Sequence, residues 1–186
     1  MKKLILGATV MALAIAGNAA TFSWTTFTGQ FVYQSGTSTK LSGATAYLFD
    51  SDKVAQAVLL NGILNESKSI TSYTSLTSGQ TTSGGALSKA EFTASVDTGK
   101  TLSTYFAIVN GDNVFISSVA SAEAQSTSTS PLSFKGLNTP SKAAAIEFAN
   151  ASSYTGAGWY TSVPEPTSGL LMLLGFAGLA LKRKRV

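Results

Sequence analysis

Two short apolar stretches, each with positive charge on one flank, bracket this chain and leave only the segment between them to build a water-facing domain. At the start, Lys2 and Lys3 precede the apolar run Leu4 to Ala16, and Gly17-Asn18-Ala19 puts small residues at the two positions a signal peptidase reads. That order predicts a signal peptide helix over residues 1–19, cleaved near Ala19 or Ala20 by signal peptidase after export through the Sec machinery. It argues against an uncleaved anchor or an ordinary core helix. At the other end, the apolar run Thr167 to Leu181 is followed by Lys182, Arg183, Lys184 and Arg185. As a helix it rises about 22 Å against a hydrocarbon core of roughly 30 Å. Insertion as a transmembrane helix therefore relies on snorkelling cations and local thinning. By the positive-inside rule the basic tail, 182–186, stays in the cytoplasm, which places residues 20–162 on the far side of the inner membrane. Gly169, Gly175 and Gly178 would let another helix approach closely.

The formal charge of +4 could be taken for a nucleic-acid binder's, but its location says otherwise. Between residues 20 and 162 only seven basic side chains face eight acidic ones, a net charge of −1, and the seven are scattered. Phosphate binding needs clustered cations, so nucleic acid is not an expected partner. The basic pI belongs to the two ends.

About 143 residues, 20–162, are enough for one domain with its own core. Cysteine is absent, so packing and hydrogen bonds carry that fold without disulfides. Glu91-Phe92-Thr93-Ala94-Ser95-Val96-Asp97 alternates polar and apolar, the pattern of a strand with one face on a core. Tyr105 to Val109 and Val114 to Ile116 flank Asn110-Gly111-Asp112-Asn113, which predicts a hairpin. Phe27 to Tyr33, Ala44 to Phe49 and Leu132 to Lys135 add short strands. Asp52 to Gly62 predicts a helix capped by Asp52, stopped by Gly62 and buried through Val54 and Val58; a second helix is expected over Ser141 to Ala149, after Pro140. The Ser/Thr-rich stretches 66–84 and 126–130 predict loops, edge strands or excursions, with O-glycosylation or polysaccharide contact as their functional alternative. The expected fold is mainly β, an antiparallel sandwich-like domain with one or two short helices.

With neither histidine nor cysteine, Ser-His-Asp and Cys-His catalysis, His-ligated zinc and thiol chemistry are excluded. What remains is carboxylate chemistry. Asp50 and Asp52 would share a face of a continuing strand and suit a paired-acid hydrolase or a calcium site; the simpler account ends a strand at Asp50 and caps a helix with Asp52. Asp112 with Asn110 and Asn113 offers oxygens to calcium, yet the quartet reads first as a turn and fits no EF-hand spacing. Asn65-Glu66-Ser67 and Asn150-Ala151-Ser152 fit the N-glycosylation pattern. Trp24, Trp159 and Tyr160 are candidates to stack on sugars, with core or linker packing as the commoner role. No metal, cofactor or catalytic residue is assigned. Thr37-Ser38-Thr39 and Thr127-Ser128-Thr129 are isolated, without the register a flat ice-binding face needs.

Val163-Pro164-Glu165-Pro166 stands directly before the apolar run. The two prolines hold the backbone extended, a form that a protease or transpeptidase grips as a strand, and Glu165 adds one charged handle. Triplet, short apolar run and terminal basic cluster together resemble the PEP-CTERM sorting signal of secreted bacterial proteins. The resemblance covers residues 163–186 and says nothing of the activity of residues 20–162. It implies recognition through Pro164, Glu165 and Pro166 by a membrane enzyme, exosortase, which cuts at or near the motif. It implies transient residence in the inner membrane, then passage to the cell surface or extracellular matrix, often beside exopolysaccharide. The expectation is thus a non-catalytic surface or matrix protein. The alternatives are plain single-pass anchoring, or an envelope glycan-binding module or carboxylate-dependent glycan hydrolase.

Overall fold

The computed structural model describes residues 19–137 and 143–163. Among these residues the strands are β1 (Ala19–Thr26), β2 (Thr45–Asp50), β3 (Thr77–Gln80), β4 (Ala90–Ser95), β5 (Thr101–Asn110), β6 (Asn113–Ile116), β7 (Ala120–Glu123), β8 (Ser130–Phe134), β9 (Ile146–Phe148) and β10 (Gly158–Ser162). An α-helix, α1, spans Gln56–Leu64, and 3-10 turns cover Ile70–Ser72 and Ala151–Ser153.

Strands β4-β1-β8 form a small sheet, and β3-β2-β5-β6-β10-β9, with β7 also on β5, form a large one. Most pairings are antiparallel, but β1 runs parallel to β8 and β10 parallel to β9, so both sheets are mixed rather than antiparallel as expected. Facing side chains of the two sheets make the first core: Phe22 and Trp24 of β1, Phe92 of β4 and Phe134 of β8 meet Leu48 of β2, Phe106 of β5, Phe115 of β6 and Trp159 of β10. Phe106 meets Phe134 edge-on at 5.0 Å, and Phe115 meets Trp159 at 5.4 Å. Such aromatic pairs add about 0.5–1.5 kcal/mol each beyond their buried area.

The large sheet is covered on its other face as well. There Phe49, Tyr105, Ala107, Val114, Ile116 and Tyr160 pack against Leu59 and Leu60 of α1, with Ile70 and Phe148. The unbroken apolar run in β5 has its cause here: alternate residues go to opposite faces, and both faces are buried. Phe106 and Ile108 enter the first core, Tyr105 and Ala107 the second. β4 belongs to the outer sheet and is covered on one face only. Phe92 and Ala94 are buried while Glu91, Thr93 and Ser95 face water, as its alternation predicts.

Several local expectations need correction. Phe27 to Tyr33 is not a strand; the chain turns after Thr26, and only Tyr33 bridges, to Lys40. The first helix starts at Gln56, after an Asp50–Val54 turn in which Asp50 accepts the backbone N–H of Asp52, so Asp52 caps nothing. Its N-cap, Ala55, makes no side-chain cap bond. Val58 is 58% exposed, and Leu59 and Leu60 are the residues that bury. Gly62 does not stop α1 but lies inside it, and the Tyr73 hydroxyl stands where a β-carbon would be. The second helix is absent from the described part of Ser141 to Ala149: Ile146–Phe148 is β9, in parallel register with β10. Ser141 and Lys142 lie outside the described residues. The Asn110–Asn113 hairpin forms as expected, with Gly111 at φ +60° supplying the left-handed turn position. The Ser/Thr-rich stretch 66–84 supplies the first 3-10 turn and the edge strand β3.

Candidate functional site

The first and last strands of the described residues, β1 and β10, are both core strands. β1 opens at Ala19, which is exposed opposite Ser95, and continues with Ala20, which is 5% exposed opposite Ala94. A cut after Ala19 would leave every buried residue of the strand in place, and one after Ala20 would remove a core residue. Residues 1–18 lie outside the described residues, and no helix among the described residues is long and apolar enough to cross a membrane.

At the other end β10 carries Trp159 and Tyr160, both fully buried, one in each core. They are therefore neither sugar-stacking platforms nor part of a loose spacer, and Trp24 is equally buried. Trp159 Nε1 donates to the Tyr33 carbonyl at 2.9 Å, and Tyr160 Oη donates to the Gly156 carbonyl at 2.6 Å. The strand ends at Ser162, and Val163 is partly exposed. Pro164, Glu165, Pro166, the apolar run and Lys182 to Arg185 lie outside the described residues.

Strand register places these two connections at opposite ends of the domain. Ser162 follows Thr161, which pairs with Asn113 beside the Asn110–Asn113 turn, the end at which β5 finishes. Ala19 instead shares two clefts with Thr98 and Gln125 to Thr129, at the end where β5 begins. The ten residues of β5 span about 33 Å between these ends.

The paired acids are structural in their contacts. Asp50 and Asp52 both line an open cleft of about 480 Å³, with Lys53, Ser75, Thr93, Ser95 and Thr101. Asp50 Oδ1 accepts the Asp52 N–H at 3.0 Å and Oδ2 meets Lys53 Nζ at 3.3 Å, so both oxygens serve the turn that leads into α1. Among the described residues no three acidic side chains gather as a metal site. Asp112, with Gly111, Lys68, Ile63, Leu64, Val109 and Ser162, lines a second cleft of about 410 Å³ where β10 leaves the domain. Lys68 pairs with Glu66 at 2.6 Å, and that carboxylate raises its pKa above the ordinary lysine value.

The two Asn-X-Ser sites also have structural work. Asn65 donates to the Ala149 carbonyl at 3.0 Å, tying the end of α1 to the residue after β9. Asn150 Oδ1 accepts the Ser152 N–H at 2.9 Å and caps a 3-10 turn.

Two features escaped sequence reasoning. Tyr105 is fully buried under α1, and among the described residues its hydroxyl finds no hydrogen-bond partner. Burial pushes its pKa upward, and burial beside Tyr160 pushes that of Tyr154 up to about 12. The cleft beside Ser162 is the other. Both come from pairing across the chain, and no local pattern announces either.

Residues 162–185 match the family model described as the PEP-CTERM protein-sorting motif. No curated protein and no solved structure matches the chain. The chain therefore carries a protein-sorting signal at its C-terminal end, directly after its last core strand.

Proposed function

We propose that the chain is an exported, non-catalytic surface or matrix protein whose tail is recognised by an exosortase-like membrane enzyme and cut at or near Pro164-Glu165-Pro166. The sorting-motif match at 162–185 carries this reading. Its support is positional: the motif begins where the folded domain ends, so a cut there would release the domain with β10 whole. The charge order at both ends agrees with it, the signal peptide for export and Lys182, Arg183, Lys184 and Arg185 holding the tail's end in the cytoplasm.

For the domain itself, a binding or structural role fits better than hydrolysis. Asp50 and Asp52 hold a turn, and Trp24, Trp159 and Tyr160 fill the cores instead of offering faces to sugars. Association with exopolysaccharide through exposed hydroxyl-rich loops is part of this reading.

The experiment is expression in an exosortase-bearing host with intact-mass determination of both mature ends, comparing the wild-type chain with Pro164→Ala/Glu165→Ala/Pro166→Ala. Loss of the tail in the wild type alone supports sorting. A tail kept in both chains points to plain anchoring by Thr167 to Leu181.

A further inference from the structure

The place where β10 leaves the domain has a consequence for how the domain stands before its tail is removed. Four residues, Val163 to Pro166, separate the end of β10 from the apolar run at Thr167. A fully extended chain spans at most about 3.3–3.6 Å per residue, so the five steps from Ser162 to Thr167 reach about 18 Å at most. The polar layer on each side of a bilayer's hydrocarbon takes up about 5–7 Å of that. Peeling β10 away to lengthen the connection would expose Trp159 and Tyr160 and break the Trp159–Tyr33 and Tyr160–Gly156 hydrogen bonds.

We propose that the end of the folded domain formed by the Asn110–Asn113 turn, the C-terminal part of α1 and Ser67 to Ser69 is an interaction surface held against the lipid headgroup layer while the tail is inserted. This rests on insertion of Thr167 to Leu181, which the sorting reading requires. The surface is suited to that contact by its shape and composition. It is the rim of the cleft lined by Ile63, Leu64, Lys68, Val109 and Asp112, and Ser162 lies in its wall. Val109 and Val163 leave apolar side chains partly exposed there, at 39% each. Charge at the rim is mixed, with Lys68 paired to Glu66 and Asp112 nearby, so the contact follows from the short connection and needs no anionic lipid. The opposite end, with Thr98 and Gln125 to Thr129, faces outward, a β5 length further from the bilayer.

The same connection constrains the enzyme. A processing site that takes Pro164-Glu165-Pro166 as an extended strand must fit within the reach of those four residues, between this surface and the bilayer.

Because the chain has no cysteine, single labels are clean. The chain from Ala20 to Val186, as the proposed signal-peptide cut after Ala19 would leave it, carrying either Asp112→Cys or Thr98→Cys with an environment-sensitive fluorophore, would be reconstituted into phosphatidylcholine vesicles containing a headgroup nitroxide lipid. Both positions are exposed in the folded domain. Flotation with the vesicles checks insertion, and circular dichroism checks folding. The expected result is quenching at position 112 several-fold stronger than at 98, with the difference largely abolished when a long, flexible Gly/Ser spacer is inserted between Ser162 and Val163. Equal quenching at the two positions in a floating, folded chain overturns the orientation while leaving the sorting reading intact. A chain that does not float removes insertion, and with it both readings. Strong quenching at 112 that persists with the spacer, or that requires added exosortase, shows that an intrinsic or protein contact, not the short connection to the bilayer, sets the orientation, and also overturns the proposal.

Discussion

The indole N–H of Trp159 donates to the backbone carbonyl of Tyr33 at 2.9 Å, joining the last strand of the domain to the loop that follows its first. Both groups are buried, and the residues are 126 positions apart in sequence. Replacing Trp159 by Phe keeps an aromatic ring against Phe115 but removes the donor and leaves space. The expected cost is about 2–3 kcal/mol, from the lost hydrogen bond and the cavity together. Urea unfolding would measure it. Hydrogen exchange should show residues 27–44 losing protection before the small sheet does. A change below about 0.5 kcal/mol, no more than an ordinary surface substitution produces, would mean that the bond does not hold the loop.

Tyr105 presents the opposite case, a buried hydroxyl without a partner among the described residues. Tyr105→Phe removes a desolvated polar atom and keeps the ring stacked on Phe49 at 5.6 Å. The substitution should leave stability unchanged or raise it by about 1 kcal/mol. A thermal melt showing clear destabilisation would reveal a partner for that hydroxyl.

Gly62 sits in the last turn of α1 with no room for a side chain, since an added β-carbon would overlap Tyr73 Oη. Gly62→Ala therefore forces the Tyr73 ring aside, at about 1–3 kcal/mol, against a helix-propensity gain of about 1 kcal/mol. In a Tyr73→Ala background only the gain should survive, so the same substitution changes sign. A double-mutant cycle in denaturant reads that coupling directly, and additivity of the two changes would refute the contact.

Alkaline pH should unfold the domain through its buried tyrosines. Burial raises the pKa of Tyr105, and raises that of Tyr154 to about 12, from an ordinary value of 10.0. Their protonated forms are held more tightly in the folded state than in the unfolded one. Stability from this source is thus complete below about pH 10 and declines as pH rises from there toward 12. Tyrosinate absorbance and far-ultraviolet dichroism followed together should show a late group of tyrosines ionising in step with the loss of β structure. Ionisation of every tyrosine near pH 10, with the fold intact, would contradict it.

The parts of the fold that were legible in the sequence are those set by near neighbours. β4 shows its single buried face in strict alternation, and the Asn110–Asn113 hairpin declares its turn chemistry. The sorting segment is likewise contiguous, so its order of parts can be read without a structure. What was not legible depends on distant partners. Ile146 to Phe148 follows an alanine-rich helical pattern, yet pairing with β10 makes it a strand. Gly62 looks like a helix stop until Tyr73 explains it. Trp159 and Tyr160, near the sorting motif in sequence, belong to the two cores only because β6 stands beside them. Asp50 and Asp52 resemble a catalytic pair at a spacing of two, and the turn between them uses the first to bind the backbone of the second.

Parallel pairing of β1 with β8 and insertion of β10 between β6 and β9 bear on the timing of export. Phe22 of the first strand waits for Ser130, and both cores wait for residues 159 and 160. If the chain is exported from its N-terminus, as proposed, neither core can be completed until nearly all of the domain has crossed. Contacts between such distant residues also form slowly. On the export route proposed above, this topology would keep the polypeptide threadable during passage and defer compaction until the sorting tail follows.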